Sequence, residues 1–309
     1  MKNLKFVSKT YEIDKKKYSL KALSQELRNE GYDLVLSPHQ FLRSAILAKS
    51  TGAHLSIGFK TWWNTPFFSE RFKRPMQWPD ALRQLSLLQK LDPQMYLQIS
   101  QWTSEVDTLR KTPLDIPEKW SLKTSLPPVS EGLLPLLPET KWNVFLAPGS
   151  QWNTKRWTIS GFAEVGRYYS DLGFGVYILG NKNEEDLCRQ LSLQIPLAVN
   201  ICGKTKIEDL PYWMEKAQML ICNDSGLMHM AAIVGLPTVS IFGPTVLEIG
   251  YRPWQKNALV VERDLICRPC GRHGHDKCPL GTHECMTSIT SRLVINSAEY
   301  LQKVLDQKG

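Results

Sequence analysis

Two hydrophobic periods alternate along the second half of the chain. NVFLAP (143–148) is apolar throughout after Asn143, which predicts a strand buried on both faces. ISGFAEVGRYYSDLG (159–173) has apolar residues at helical spacing and stops at Gly173. FGVYILG (174–180) predicts a second strand. NEEDLCRQLSLQ (183–194) predicts a helix with acids in its first turn, where the helix dipole favours them. LAVNICG (197–203) predicts a third strand. TKIEDLPYWMEKA (205–217) predicts a helix that opens on Thr205, with Glu208 at the spacing of a capping box. MLICN (219–223), a helix from Leu227, TVSIFG (238–243) and ALVVE (258–262) continue the alternation. Near-continuous apolar strands joined by helices predict one doubly wound α/β domain over 141–309 with a parallel sheet.

The first part reads the same way with weaker signals. LKFVS (4–8), YDLVLS (32–37) and HLSIGF (54–59) predict strands. LKALSQELRNEG (20–31) and FLRSAILAKSTG (41–52) predict helices between them, and WPDALRQLSLLQKL (78–91) a further helix. Residues 1–123 are therefore expected to form a second α/β domain. TSLPPVSEGLLPLLPET (124–140) carries four prolines and is the expected linker. Open α/β sheets take ligands at the carboxyl ends of their strands, so two such domains predict a cleft suited to a two-substrate reaction.

Composition narrows the partners. The 309 residues are 42% hydrophobic, which fits a folded globular chain. The longest weakly polar stretch, Ala231–Gly243, is too short to span a bilayer. The N-terminus shows no apolar signal core, which predicts a cytoplasmic location. A net charge of +8 favours an anionic partner such as a nucleotide or an anionic membrane leaflet. No basic run exceeds Lys15-Lys16-Lys17, so nucleic acid is not expected.

Three loops at strand ends carry ligand chemistry. APGSQWNTKRW (147–157) offers Gly149 for close backbone approach, the Ser150 hydroxyl and the Lys155 ammonium: a diphosphate site or a solvated basic loop. In LGNKNEE (179–185), Glu184 can accept ribose hydroxyls or merely complement the helix dipole. Asp224, at the end of 219–223, can grip a vicinal diol or simply cap the next helix. Ser225, Gly226 and Leu227 then open that helix with free N–H groups, and His229 follows in its first turn. The glycines of GFGVYILG precede their strand, which excludes the dinucleotide fingerprint, and no phosphate-binding P-loop is present.

Seven cysteines are present. Cys188, Cys202 and Cys222 read as buried thiols. Cys267, Cys270, Cys278 and Cys285 cluster in CRPCGRHGHDKCPLGTHEC, with His273, His275 and His283 as alternates. The reading stays open between a structural zinc or iron site and free thiols packed in a loop.

PGSQWNTKRW, NDSGLMHMAA, FGPT (242–245) and CRPCGRHGHDKCPLGTHECM together resemble the lipopolysaccharide heptosyltransferases, glycosyltransferase family nine, and within them the heptosyltransferase II branch. YDLVLSPHQFLRSAILAKSTGAHLSIGF (32–59) resembles the family's first domain, so the likeness runs from about Tyr32 onward. It implies a GT-B fold of two Rossmann-like domains and an inverting transfer of heptose from ADP-heptose to the lipopolysaccharide inner core, with peripheral contact at the inner membrane. It implies Lys155 and Ser150 on the diphosphate, Glu184 on the ribose, Thr205 near the adenosine and Asp224 on heptose hydroxyls. Gly226, Leu227 and His229 would line the same site. Arg43 would face an anionic acceptor. No cofactor is implied for catalysis.

One departure from the family pattern stands out. The family opens with a strand and a Gly-Asp turn that supplies its general base, and no Gly-Asp dipeptide occurs in the first domain here. The expectation is an incomplete N-terminal domain with no carried-over catalytic residue; His39 is the titratable group that follows strand 32–37. The alternatives are a weak or inactive nucleotide-sugar-binding homologue and a GT-B-fold sugar-nucleotide epimerase. A missing strand would also leave an exposed sheet edge.

Overall fold

The computed structural model describes residues 7–11, 19–121 and 142–307. The expected linker 124–140 and residues 4–6 of the expected first strand lie outside the described residues, and Val7 and Ser8 are in no strand. The described residues form two compact units, one within Lys9–Thr108 and one within Leu109–Gly309.

In the first unit, α1 (Leu20–Asn29), β1 (Leu34–Ser37), α2 (Leu42–Ser50) and β2 (Leu55–Phe59) follow the predicted alternation. Two elements were not predicted, β3 (Glu70–Phe72) and α4 (Pro93–Glu105), and the expected helix over 78–91 resolves into α3 (Asp80–Leu85) and a 3-10 turn. The sheet order is β1-β2-β3, all parallel. Among the described residues β1 pairs on one side only, and its Leu34 and Leu36 are exposed. Ile57 and Phe59 of β2 are wholly buried against Leu87.

The second unit contains β4 (Asn143–Ala147), α5 (Ile159–Asp171), β5 (Gly175–Ile178), α6 (Glu185–Ser192), β6 (Val199–Asn200), α7 (Leu210–Glu215), β7 (Met219–Asn223), α8 (Gly226–Val234), β8 (Thr238–Phe242), β9 (Ala258–Glu262), α9 (Glu284–Thr287) and α10 (Ser291–Asp306). Its parallel sheet runs β6-β5-β4-β7-β8-β9. The chain starts in the middle, winds outward to β6, and returns to the other side of β4. The order therefore reverses between β4 and β7, and this is where doubly wound sheets bind ligands.

The continuous apolar runs have a direct cause. Val144 and Leu146 pack into one core with Phe162 of α5 and Leu301 of α10, while Phe145 and Ala147 pack into a second core with Met214 and Met228. Both faces of β4 are covered, so Val144 to Ala147 are all apolar, and the one polar residue, Asn143, is buried with its Nδ2 donating to the Lys216 carbonyl at 2.8 Å. Residues 109–121 belong to this unit: the Lys111 carbonyl accepts from the Val260 amide at 2.8 Å, and the Trp120 carbonyl from Trp254 Nε1 at 2.7 Å.

Two expectations fail locally. The helix expected over 205–217 starts at Leu210, with Pro211 in its first turn and no capping box at Thr205. Pro211 has no N–H to bond backward, so it fits a first turn and not the middle of a helix begun at Thr205. The strand expected over 197–203 shortens to Val199–Asn200, preceded by Leu197 at a φ of 63°.

Candidate functional site

The loops after β4 and β7 meet at the reversal of strand order. Asn223, the last residue of β7, ties them together: its Oδ1 accepts from the Trp157 amide at 3.0 Å, and its Nδ2 donates to the Pro148 carbonyl at 2.8 Å. Asp224 follows, with its own amide bonded to Ile241 O of β8 at 3.0 Å. Its Oδ2 takes two donors. Lys155 Nζ lies 2.6 Å away, and Thr245 Oγ1 also donates at 2.6 Å. Lys155 and Asp224 are 7% and 4% exposed, and Thr245 is fully buried, so the pair is held where solvent screens it little. Ser150 Oγ donates to the Asp224 carbonyl at 3.0 Å.

This geometry settles one alternative. The N-cap of α8 is Ser225, not Asp224, and no side chain caps it. Asp224 spends its carboxylate on Lys155 and Thr245 instead. The Ser225 hydroxyl is buried without a partner. Gly226 has open space where a Cβ would stand. Leu227 and His229 lie in the first turn of α8.

Glu184 belongs to the same edge. It is 8% exposed and closes a capping box in which its Oε2 accepts from the Asn181 amide at 2.9 Å, while the Asn181 side chain accepts from the Asn183 amide at 2.8 Å. A Cβ on Gly149 would overlap the Glu184 carboxylate. The glycine in the β4 loop thus makes room for a carboxylate from the β5 loop. Thr205 sits half-buried in the loop after β6, two strands from β4 on the same carboxyl edge.

In the first unit, Arg43 stands in the first turn of α2, half-buried, and His39 lies exposed after β1 with its ring 6.4 Å from that of Phe41.

Among the described residues no three His, Cys, Asp or Glu side chains converge as ligands. Cys267 is exposed and Cys285 buried, and Cys270 Sγ donates to the Cys267 carbonyl at 3.2 Å. Burial raises the Cys270 thiol and pushes Cys285 up to about 11. The Cys278 thiol goes the other way: the His283 backbone amide, helped by those of Leu280, Gly281 and Thr282, holds it below the usual thiol range.

Sequence reasoning missed Thr245, Asn223 and Asn181. The signal for Thr245 was its position in FGPT, directly after the buried strand β8.

The sequence model of glycosyltransferase family 9 (heptosyltransferase) matches residues 20–279. The lipooligosaccharide heptosyltransferase 2 of Campylobacter jejuni is 38% identical over 165 residues, covering 51% of this chain and 50% of that protein. The lipopolysaccharide heptosyltransferase 2 of Salmonella typhimurium is 27% identical over 170 residues, covering 52% and 46%. The chain spans about half the length of the curated relatives it matches. Among solved structures, the E. coli ADP-heptose lps heptosyltransferase II aligns with a TM-score of 0.68 at 20% identity, over 94% of this chain and 82% of that one. That likeness is one of fold: mixed α/β with parallel sheets, of the GT-B kind.

Proposed function

The chain belongs to glycosyltransferase family 9, and we propose that it transfers heptose from ADP-heptose to the inner core of lipopolysaccharide with inversion at the anomeric carbon. The observation that carries this reading is the Lys155–Asp224 pair at the reversal of strand order, flanked by Ser150 and Glu184. A nucleotide diphosphate sugar needs a cation for its diphosphate, acceptors for its ribose hydroxyls and a carboxylate for its sugar hydroxyls.

In this reading an acceptor hydroxyl oxygen bonds to the anomeric carbon and loses its proton to a base. The bond from that carbon to the diphosphate oxygen breaks, and ADP departs with the electron pair. Negative charge grows on the diphosphate. Lys155 and the uncapped N–H groups that open α8 are preorganised to stabilise it, which is where such sites gain most of their rate. Glu184 accepts from the ribose and Asp224 from heptose, while Thr205 lies on the adenosine side. Arg43 takes the anionic acceptor. We assign no residue to the general base.

The expected location is the cytoplasmic face of the inner membrane. A net charge of +8 supports a peripheral contact, and no helix among the described residues is long and apolar enough to cross a bilayer.

Calorimetric titration with ADP-heptose tests the donor, and a transfer assay on a heptose-deficient inner core tests the reaction. The wild type is expected to bind and transfer, and Lys155→Ala to bind at least tenfold more weakly. No heat from the wild type removes the donor assignment; binding without transfer leaves a nucleotide-sugar-binding homologue.

A further inference from the structure

The cysteine-rich segment 267–285 packs directly on both arms of the buried ion pair. On the lysine side, Thr154 is clamped. Its amide donates to the His275 carbonyl at 3.0 Å, and its hydroxyl accepts from the His275 amide at 2.8 Å. The Thr154 carbonyl meets His283 Nε2 at 2.7 Å. A carbonyl only accepts, so His283 carries a proton on Nε2. Gly274 stands so close that a Cβ there would lie 3.5 Å from Lys155 Cγ.

On the aspartate side, Arg268 is buried, its side chain 3% exposed beside Glu262 at 2.6 Å. Its Nη2 also donates to the Thr245 carbonyl at 2.7 Å and its Nε donates to the Gly243 carbonyl. The Cys270 amide closes the set on the Pro244 carbonyl at 2.8 Å. All three carbonyls of Gly243-Pro244-Thr245 are thus held by one segment. The Thr245 hydroxyl in turn holds Asp224.

We propose that segment 267–285 is the buttress that sets Lys155 against Asp224, with His283 and Arg268 as positioning residues acting through Thr154 and Thr245. A long segment with regular structure only at its last two residues needs such a reason to be ordered, since fixing each residue costs backbone entropy. Its hydrogen bonds go to the two loops that carry the charged pair. The inference concerns the ion pair itself; its bearing on a sugar-nucleotide donor rests on the function proposed above.

The test separates the two. In the ligand-free chain, lysines are labelled with an amine-reactive reagent and read by mass spectrometry. His283→Leu removes the donor to Thr154, and His283→Gln supplies one in its place. Lys155 is expected to label at least threefold faster in His283→Leu, with other lysines unchanged and His283→Gln close to wild type. Arg268→Lys, which keeps the charge but loses the fork, is expected to raise Lys155 labelling in the same way. Unchanged Lys155 labelling in His283→Leu and Arg268→Lys overturns the proposal. So does a rise at every lysine alike, which reports general unfolding. Titration of the same proteins with ADP-heptose reports separately: a labelling response without donor heat in the wild type keeps the buttress and removes the donor reading.

Discussion

Lys155 Nζ and Asp224 Oδ2 lie 2.6 Å apart, buried, on loops 69 residues apart in sequence. The pair joins the two strands between which the strand order reverses. Neither charge is compensated by solvent, so each depends on the other and on the Thr245 hydroxyl.

Lys155→Met is expected to destabilise the second unit by about 3 kcal/mol, because it leaves a buried carboxylate with one hydroxyl for a partner. Asp224→Asn is expected to cost about as much by stranding the ammonium. The double variant Lys155→Met/Asp224→Asn removes both charges and is expected to recover most of the loss. Urea unfolding of the four proteins measures the coupling. A double variant whose loss equals the sum of the singles would refute mutual dependence.

Gly149→Ala drives a methyl group into the Glu184 carboxylate. The expected cost is about 1–3 kcal/mol, as for other overpacked sites. Adding Glu184→Ala empties the space and should restore stability toward that of Glu184→Ala alone. Thermal unfolding of the single and double variants checks this. If the second substitution gives no relief, the two loops do not meet as described.

How much of this was legible depends on what local sequence can encode. β4, β7, β8 and β9 were readable because both faces are buried, so apolar residues dominate them, with Thr238 and Ser240 of β8 as small buried polar exceptions. β3 was not, because ERF is half-buried and charged and carries no period. α4 did carry a signal: Asp92 caps it by accepting from the Met95 amide at 2.9 Å, and Pro93 follows at the first position. The capping-box spacing at Thr205 misled because it ignored Pro211, whose ring decides where α7 begins. Lys155, Glu184 and Asp224 were each visible as chemistry at a strand end. That Lys155 pairs with Asp224, and that Glu184 sits over Gly149, follows from tertiary contact between distant loops and has no local signature.

Cys278 is expected to be alkylated at a lower pH than Cys270 or Cys285. Backbone amides stabilise its thiolate and lower its pKa, whereas burial raises the other two. A lowered pKa puts thiolate in place as pH rises from the acid side before an ordinary thiol ionises. The iodoacetamide rate at Cys278 should therefore level off at a pH where those of Cys270 and Cys285 are still climbing. Mass spectrometry of samples quenched across pH 6 to 9 would show the order, and a late or simultaneous Cys278 would contradict the amide cradle.

Thr245 gives the sharpest single-atom test of how Asp224 is oriented. Its hydroxyl donates to the same oxygen that receives Lys155, so Oδ2 is committed twice, and under the proposed function Oδ1 is the oxygen left to accept from a sugar hydroxyl. Thr245→Val keeps the shape and removes only that donor. Loss of a buried bond to a charged acceptor is expected to cost about 1.5–3 kcal/mol of stability. Freed from Thr245, the carboxylate can turn about its terminal torsion, which is broad and poorly defined by sterics alone. Affinity for ADP-heptose is then expected to fall roughly tenfold, about 1.4 kcal/mol. Thr245→Ser keeps the hydroxyl and should hold donor affinity within about twofold, at a small packing cost. Urea unfolding and calorimetric titration of both variants separate the roles. If Thr245→Val loses stability but binds donor as the wild type does, Thr245 supports the fold alone and Lys155 suffices to orient Asp224.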